Sequence, residues 1–332
     1  MNAIGKIFTV QIWGESHGMA VGCVLDGCPP GIPLDISDFE KPLQRRKGGG
    51  AGTTPRTETD IPVFVSGVFN GCTTGAPLCI QFNNANTRNS DYEAFKQQPR
   101  PGHADFVSSV KYKGFQDYRG GGHFSGRLTT ALVAAGVVAE KLLKSHLPDC
   151  SCNATVLSIG GNSHVEEAVQ EAIASNDTVG AVVECRMSGL PIGLGEPFFN
   201  SCESVISHLV FSIPAVKAIE FGSGFGAAQM KGSEHNDVFI NEKGTTATNH
   251  SGGITGGLTN GNELVFRIAV KPASSTPKPQ QTYNYDTGTM ETLEIKGRHD
   301  LIIALRVPPV LEAVTMIAMA DLFMCAKANG TV

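Results

Sequence analysis

One segment near the middle of the chain restricts the possible folds more than any other. Residues 125–145 form the most helical stretch of the sequence, and their apolar side chains cover more than one face of that helix. A helix that is apolar on several sides is buried between layers of structure. The run Gly120-Gly-Gly122 directly precedes it. The sequence therefore predicts a layered fold with a helix inside it.

Shorter segments on either side show the periodicities of strands and of further helices. The predicted strands are residues 7–12, 21–25, 63–68, 77–82, 156–159, 179–187 and 264–270. The other predicted helices are residues 38–46, 166–174 and 309–328. Because strands and helices are mixed without a regular βαβ alternation, the order favours α+β layers over a doubly wound sheet.

Length and charge narrow the function as well as the fold. The 332 residues exceed the usual ~100–200 per domain, which allows one large domain or two fused lobes. A net charge of −5 argues against a nucleic-acid partner. Residues 41–127 nevertheless carry 12 Lys or Arg against 6 Asp or Glu, a local excess of +6. This asymmetry indicates a small anionic ligand, with a basic surface face as the alternative.

The cysteines and the apolar runs indicate the compartment. Nine cysteines are present without a C-x-x-C pair, so we expect free thiols in a reducing cytoplasm. Residues 1–9 hold no apolar run long enough for a signal peptide. The longest apolar stretches, 131–139 and 314–320, are shorter than the ~20 residues of a membrane span. No zinc or calcium motif occurs, so we expect no metal site.

The first candidate motif is Gly-Glu-Ser-His-Gly at residues 14–18. It matches G-x-S-x-G, in which Ser16 would be the nucleophile of a serine hydrolase. That motif needs a strand before the serine and a helix directly after it, and residues 21–25 predict a second strand instead. The alternatives are therefore a hydrolase that uses Ser16 and a tight loop that presents His17.

The second candidate is the turn Arg-Pro-Gly-His-Ala-Asp at residues 100–105. Its proline and glycine hold His103 on a constrained backbone, and Asp105 can orient the imidazole or a neighbouring arginine. An ordinary turn with exposed charges is the alternative.

Two further segments suit anions. Residues 118–127 place glycines, Ser125 and Arg127 at the start of the long helix, where backbone N–H groups attract negative charge. Lys271 with Ser274 and Ser275 offers charge-assisted donors to a phosphate. A glycine turn that only packs on the helix is the alternative for the first segment. The residues indicate an enzyme but do not name its reaction.

Seven motifs occur in the order found in one family. They are Gly-Glu-Ser-His-Gly (14–18), Asp-Gly with Pro-Pro-Gly-Ile-Pro (26–33), Arg-Pro-Gly-His-Ala-Asp (100–105), Tyr-Arg-Gly-Gly-Gly (118–122), Gly-Leu-Gly-Glu-Pro (193–197), Lys-Pro-Ala-Ser-Ser (271–275) and Lys-Gly-Arg-His-Asp (296–300). In this order the chain resembles the chorismate synthases, from about residue 7 to the C-terminal helix.

The resemblance implies a reaction. Chorismate synthases convert 5-enolpyruvylshikimate 3-phosphate to chorismate and phosphate by a 1,4-anti elimination. The reaction has no net redox change, yet it requires reduced flavin mononucleotide (FMN). The resemblance also implies a layered β-α-β sandwich with antiparallel sheets around central helices. It implies a single large domain over residues 1–332 and a homotetramer.

The same resemblance assigns roles to residues. His103 would donate a proton to the departing phosphate, His17 would protonate the flavin, and Asp300 would relay the proton from the substrate ring. The implied substrate-binding residues are Arg45, Arg46, Arg56, Arg100 and Arg127. The implied flavin-binding residues are His123, Phe124, Ser125, Pro214, Ala215, Gly256, Lys271, Pro272, Ala273, Ser274, Ser275 and Arg298.

Some positions differ from the common family pattern. His123 stands where many members have arginine, and Pro214 replaces an asparagine. The stretch between residues 153 and 179 is compact, so we expect no embedded flavin reductase and a separate source of reduced flavin. A flavin-binding protein without catalysis remains the alternative function.

Overall fold

The computed structural model describes residues 2–54, 58–86, 89–295 and 299–332. The strands of these residues are β1 (Ala3–Ile4), β2 (Thr9–Gly14), β3 (Ala20–Asp26), β4 (Val63–Ser66), β5 (Val68–Phe69), β6 (Cys72–Thr73), β7 (Leu78–Asn83), β8 (Ser151–Ile159), β9 (Ala181–Ser188), β10 (Val216–Phe221), β11 (Ile254–Thr255), β12 (Leu258–Thr259), β13 (Leu264–Val270), β14 (Gln280–Asn284) and β15 (Thr289–Leu293). The α-helices are α1 (Ser37–Arg46), α2 (Asp105–Lys111), α3 (Thr129–Lys144), α4 (Val165–Ser175), α5 (Cys202–Val210), α6 (Gly232–His235) and α7 (Pro308–Ala328).

Two antiparallel sheets form the outer layers. The first has the strand order β1-β2-β3-β7-β4 and the second has the order β10-β13-β9-β8. Side chains alternate between buried and less buried along β7 and along β9. Each sheet therefore turns one face towards the interior, as the period-2 pattern requires.

The two longest helices fill the space between these sheets. Helix α3 packs on β3 of the first sheet and on α7, and α7 packs on β8 of the second. Thirteen of the sixteen residues of α3 are buried, which confirms the helix expected inside the layers. At Gly136 a side chain would come within 2.4 Å of the Cβ of Ala313, so glycine permits the close approach of α3 and α7.

The arrangement confirms the α+β class and the layered sandwich. Buried residues of both sheets and both central helices belong to one connected hydrophobic core. Helix α7 is long and apolar enough to cross a membrane by length and composition, but 83% of its apolar window is buried inside the fold. Its hydrophobicity is thus explained by packing.

Several element boundaries differ from those expected. Helix α3 begins at Thr129 rather than near residue 125, because Ser125 caps a short 3₁₀ turn by accepting a hydrogen bond from the backbone of Arg127.

The glycine loop after α1 is joined to the C-terminal segment, since the backbone N–H groups of Leu301 and Ile302 both donate to the carbonyl of Gly52.

Candidate active site

A cavity of about 490 Å³ opens where separate segments of the chain meet. The loop after α1, the turn before α2, the 3₁₀ segment before α3, the segment after β13 and the start of α7 all contribute to its wall. The volume lies in the range of about 300–1,000 Å³ that small-molecule sites occupy. The fold thus brings residues from both halves of the chain to one place.

His103 lies on the wall of this cavity with one ring nitrogen already engaged. Its Nδ1 is 2.6 Å from Oδ1 of Asp105, and Arg100 donates to both oxygens of the same carboxylate at 2.8 Å. A hydrogen bond at Nδ1 fixes the tautomer and the orientation of the imidazole. The other nitrogen, Nε2, is therefore the atom that can exchange a proton with a ligand.

Asp105 stays ionised although it is largely buried. Burial alone raises the pKa of this carboxyl, but hydrogen bonds from Arg100 and His103 outweigh burial and bring the pKa well below its ordinary value. The carboxylate holds the ring of His103 in a fixed orientation. The motif at residues 100–105 thus forms the oriented His–Asp pair that an acid catalyst needs.

Two arginines of the cavity lining share one carboxylate. Nη2 of Arg46 lies 2.8 Å from Oδ2 of Asp60, and Nη1 of Arg127 contacts Oδ1. Burial lowers the pKa of Arg46 to about 10, while the charge of Asp60 acts in the opposite direction. Among the described residues, Nε of Arg46 and Nη2 of Arg127 are buried atoms with no hydrogen-bond partner. Buried donors without partners are rare and often indicate a ligand or an ion.

The segment after β13 adds a further cation, Lys271. The ammonium of Lys271 donates to Oγ of Ser274 at 2.7 Å, and Ser274 donates to the carbonyl of Gly102 at 2.6 Å. Burial lowers the pKa of Lys271, and the positive charge of Lys217 adds to the effect. The segment is thus joined to the turn that carries His103.

Asp300 lies on the wall between two donors. Its Oδ1 accepts a hydrogen bond from the backbone N–H of Thr54 at 2.8 Å, and its Oδ2 accepts one from Arg306 at 2.8 Å. Arg306 also donates to the backbone carbonyl of Arg46. Each carboxylate oxygen keeps a second lone pair that can accept a further hydrogen bond.

The loop at residues 14–18 does not form a nucleophile elbow. The side chain of Ser16 is fully buried, and strand β3 rather than a helix follows the loop. His17 is buried beside the ring of Tyr92, with 5.0 Å between ring centroids. A side chain at Gly120 would lie 2.1 Å from Nδ1 of His17, so only glycine fits there. The hydrolase alternative has no structural support.

Most of the predicted site residues line the cavity. These are Arg46, Arg100, His103, Phe124, Ser125, Arg127, Pro214, Ala215, Lys271, Ala273, Ser274, Ser275 and Asp300. His17, Arg45, His123, Gly256 and Pro272 are not part of the cavity lining. Arg56 and Arg298 lie outside the described residues.

Packing explains why these five residues lie elsewhere. Tyr92, which does line the cavity, packs against His17. Arg45 forms a bidentate pair with Glu312 of α7. Nδ1 of His123 donates a hydrogen bond to the backbone carbonyl of Gly14 at 2.7 Å. Pro272 is exposed, and Gly256 forms the turn between β11 and β12.

Sequence reasoning missed several polar or aromatic residues of the lining, among them Asp60, Tyr92 and Arg306. Asp60 stands out in the sequence only as an acid within a basic stretch, and Arg306 only as a cation just after Asp300. Within the described ranges no cluster of three or more His, Cys, Asp or Glu side chains suits a metal ion.

The fold and the cavity together define a protein with a small-molecule site, in which an oriented histidine lies among several cationic side chains. A model of the chorismate synthase family matches residues 8–324, and the chain belongs to this family. It is 58% identical to a chorismate synthase of Chitinophaga pinensis over 332 residues, covering 100% of this chain and 99% of the relative.

More distant relatives agree with this assignment. A chorismate synthase of Aeropyrum pernix is 41% identical, with 98% of this chain and 94% of the relative covered. A crystal structure of chorismate synthase superposes with a TM-score of 0.72 at 23% identity and covers 97% of this chain and 93% of that one. At that identity the superposition shows the fold alone.

Proposed function

We propose that this chain converts 5-enolpyruvylshikimate 3-phosphate to chorismate and phosphate with reduced FMN, and so acts as a carbon–oxygen lyase. The observation that carries the proposal is the cavity of this chorismate synthase family member. It places the oriented His103 among the cationic side chains of Arg46, Arg100, Arg127 and Lys271.

The proposed substrate carries one phosphate and two carboxylates, so it needs several fixed cations. Guanidinium groups suit both kinds of anion because their planar donors match pairs of oxygens. Arg46 and Arg127 lie on the cavity wall, and each carries a buried N–H group without a partner among the described residues. The donor set therefore fits an anionic substrate better than a neutral one.

The lining also fits a flavin. Lys271, held in place by its hydrogen bond to Ser274, is a suitable donor for its phosphate, and the rings of Tyr92 and Phe124 supply flat surfaces for an aromatic ring system. Reduced FMN bound there would supply electron density to the reaction with no net redox change, and Lys271, Tyr92 and Phe124 would hold it.

His103 and Asp300 divide the proton transfers in this proposal. The C–O bond to phosphate breaks while a ring C–H bond loses its proton, and the electron pair of that C–H bond becomes part of the new double bond. His103 gives a proton from Nε2 to the phosphate, and Asp300 takes up the proton that leaves the ring. One proton is lost and one is gained, so the turnover balances.

His17 has a less direct position in the proposal. It is held by Gly120 and Tyr92 at the edge of the site, and we assign it the protonation of the flavin. His17→Ala tests this assignment, because turnover should fall if His17 supplies that proton. Unchanged turnover would remove His17 from the mechanism.

We further propose a homotetramer of single-domain subunits. Phe198, Phe199 and Phe225 are each at least 80% exposed, and exposed apolar side chains of this size indicate a contact surface. Light scattering tests the assembly, with four copies expected and one copy contradicting it. We place the enzyme in the cytoplasm, where its nine unpaired cysteines stay reduced, with a separate source of reduced flavin.

One anaerobic assay tests the function. Protein, 5-enolpyruvylshikimate 3-phosphate and chemically reduced FMN are mixed, and chorismate absorbance and free phosphate are followed together. We expect both to rise in equal amounts, and neither to rise with oxidised FMN. Flavin binding without phosphate release would instead favour the non-catalytic alternative and contradict the proposal.

A further inference from the structure

Asp60 has an environment that the proposed chemistry does not yet use. Its side chain is fully buried, and it lies between the guanidinium groups of Arg46 and Arg127, each 4% exposed. Both arginines line the cavity, and so does Asp60. A single carboxylate thus joins two cations from distant parts of the chain at the wall of the site.

The backbone of Asp60 adds a second observation. Its φ angle is +52°, which lies in the left-handed region of the backbone. Only a few per cent of residues other than glycine adopt this conformation. Unfavourable backbone conformations persist where the surrounding contacts hold them, and they cluster at functional sites. The two ion pairs provide such contacts here.

The charges explain what the carboxylate does. Two buried guanidinium groups repel each other, and one aspartate between them reduces the local charge from two positive to one. Each arginine uses one nitrogen on Asp60 and keeps another, Nε in Arg46 and Nη2 in Arg127, without a partner among the residues described. The carboxylate therefore fixes the separation of two donor groups and leaves part of each available.

We propose that Asp60 is a positioning residue, whose carboxylate sets the spacing of Arg46 and Arg127 so that both grip one anionic group of the substrate. The proposal rests on the proposed function. It also predicts that the site is selective. If Asp60 fixes the spacing of the two arginines, they bind an anion of one size and orientation. If only their net charge mattered, they would attract any anion.

Removal of the negative charge of Asp60 separates the effect of arginine spacing from the effect of net charge. Asp60→Asn keeps the size of the side chain and a residue that tolerates positive φ, but it makes the wall more positive and lets the arginines move apart. We expect kcat/KM to fall about 100-fold, the cost of displacing a positioning group by about 1 Å. Inhibition by inorganic sulfate should be undiminished or stronger.

The matched control is Asp321→Asn. Asp321 is similarly buried and accepts hydrogen bonds from the backbone N–H groups of Lys6, Ile7 and Phe8, outside the cavity lining. We expect a lower melting temperature with unchanged KM and unchanged inhibition by sulfate. A merely structural role of Asp60 would give the same pattern in Asp60→Asn, or a parallel loss of substrate and sulfate affinity, and either result would overturn the proposal.

A second variant covers the case in which Asp60→Asn does not fold. Asp60→Glu keeps the charge and moves it by one methylene, and we expect a loss of about tenfold in kcat/KM. Wild-type kcat/KM in this variant would overturn the positioning role alone. An inactive wild-type protein in the same anaerobic assay would instead overturn the proposed function, and the role of Asp60 with it.

Discussion

The last two residues of α1 are both arginines, but they belong to different kinds of site. Arg45 is 39% exposed, and its two terminal nitrogens both bind Glu312, at 2.5 and 2.8 Å. Arg46 is 4% exposed, shares Asp60 with Arg127 and keeps a buried N–H without a partner among the described residues. Arg45 thus forms a bidentate pair at the surface, whereas Arg46 is buried and has an N–H group left over for a ligand.

The pKa values of the two arginines differ in the same way. The hydrogen bonds that Arg45 donates to Glu312 raise the pKa of Arg45, whereas burial lowers the pKa of Arg46. A complete surface pair stabilises its own charge and offers little to a ligand. A buried cation with an incomplete set of partners gains from any anion that reaches it. The number of cations in a segment therefore predicts less about binding than the partners each one already has.

The comparison of Arg45 with Arg46 requires that the cavity beside Arg46 is the active site, and the largest expected effect tests this requirement. His103→Ala should lower turnover by about 10²- to 10⁴-fold, because it removes the proton donor for the departing phosphate. Binding of reduced FMN, measured by anaerobic titration, should persist. His146→Ala, which alters a histidine packed on Phe323 outside the cavity lining, should keep wild-type turnover. Equal turnover in wild type and His103→Ala would refute the general-acid role.

A matched pair of variants tests the contrast itself. Arg46→Lys keeps the charge but loses the planar donor set, so we expect KM for the substrate to rise by about 10- to 100-fold, the value of hydrogen bonds to charged groups. Arg45→Lys should change KM by less than about twofold, since an exposed pair contributes little. Steady-state kinetics measures both. Equal effects at the two positions would show that the distinction is wrong.

Acid unfolding tests the two carboxylates that pair with arginines of the cavity lining, Asp60 and Asp105. The pKa values of Asp60 and Asp105 are lower in the folded protein than in the unfolded chain. They therefore stabilise the fold above the unfolded value of about 4, and the stabilisation is lost as pH falls towards the folded values. Asp105→Asn should be less stable than wild type at pH 7, with the difference in melting temperature shrinking below about pH 4. A constant difference across that range would contradict the assignment.

The smallest effect is expected at Arg45. Arg45→Ala should lower the free energy of unfolding by no more than about 1 kcal/mol, because the pair is partly exposed and screened by solvent. Urea denaturation at low and high salt measures the change, and salt should reduce it. A loss of about 3 kcal/mol or more would mean that this pair behaves like a buried one.

Sequence patterns were sufficient for elements with a strong apolar signal. The central helix α3, the C-terminal helix α7 and the strand β13 were predicted because their side chains are buried by position and by type. The hairpin β14–β15 was missed, since its residues are mostly Gln, Thr, Asn and Glu. Strand β10 was missed as well, because Lys217 and Glu220 interrupt the apolar pattern of its six residues.

The site shows the same limit. His103 with Asp105, and Lys271 with Ser274, were found because each pair lies within one short motif. Sequence alone did not separate Arg45 from Arg46, because adjacent helical residues point in directions that only packing on other elements distinguishes. The role of Asp60 depends on Arg127, 67 residues away, and on the backbone conformation at Asp60 itself.

A crystal structure with 5-enolpyruvylshikimate 3-phosphate and oxidised FMN tests the account most directly, because the oxidised cofactor does not support turnover in the proposed reaction. We expect an anionic group of the substrate within hydrogen-bond distance of Arg46 and Arg127, the ring of His103 in contact with the substrate, and Arg45 still paired with Glu312. A substrate bound through Arg45, or one that leaves Arg46 and Arg127 without a ligand, would contradict the account.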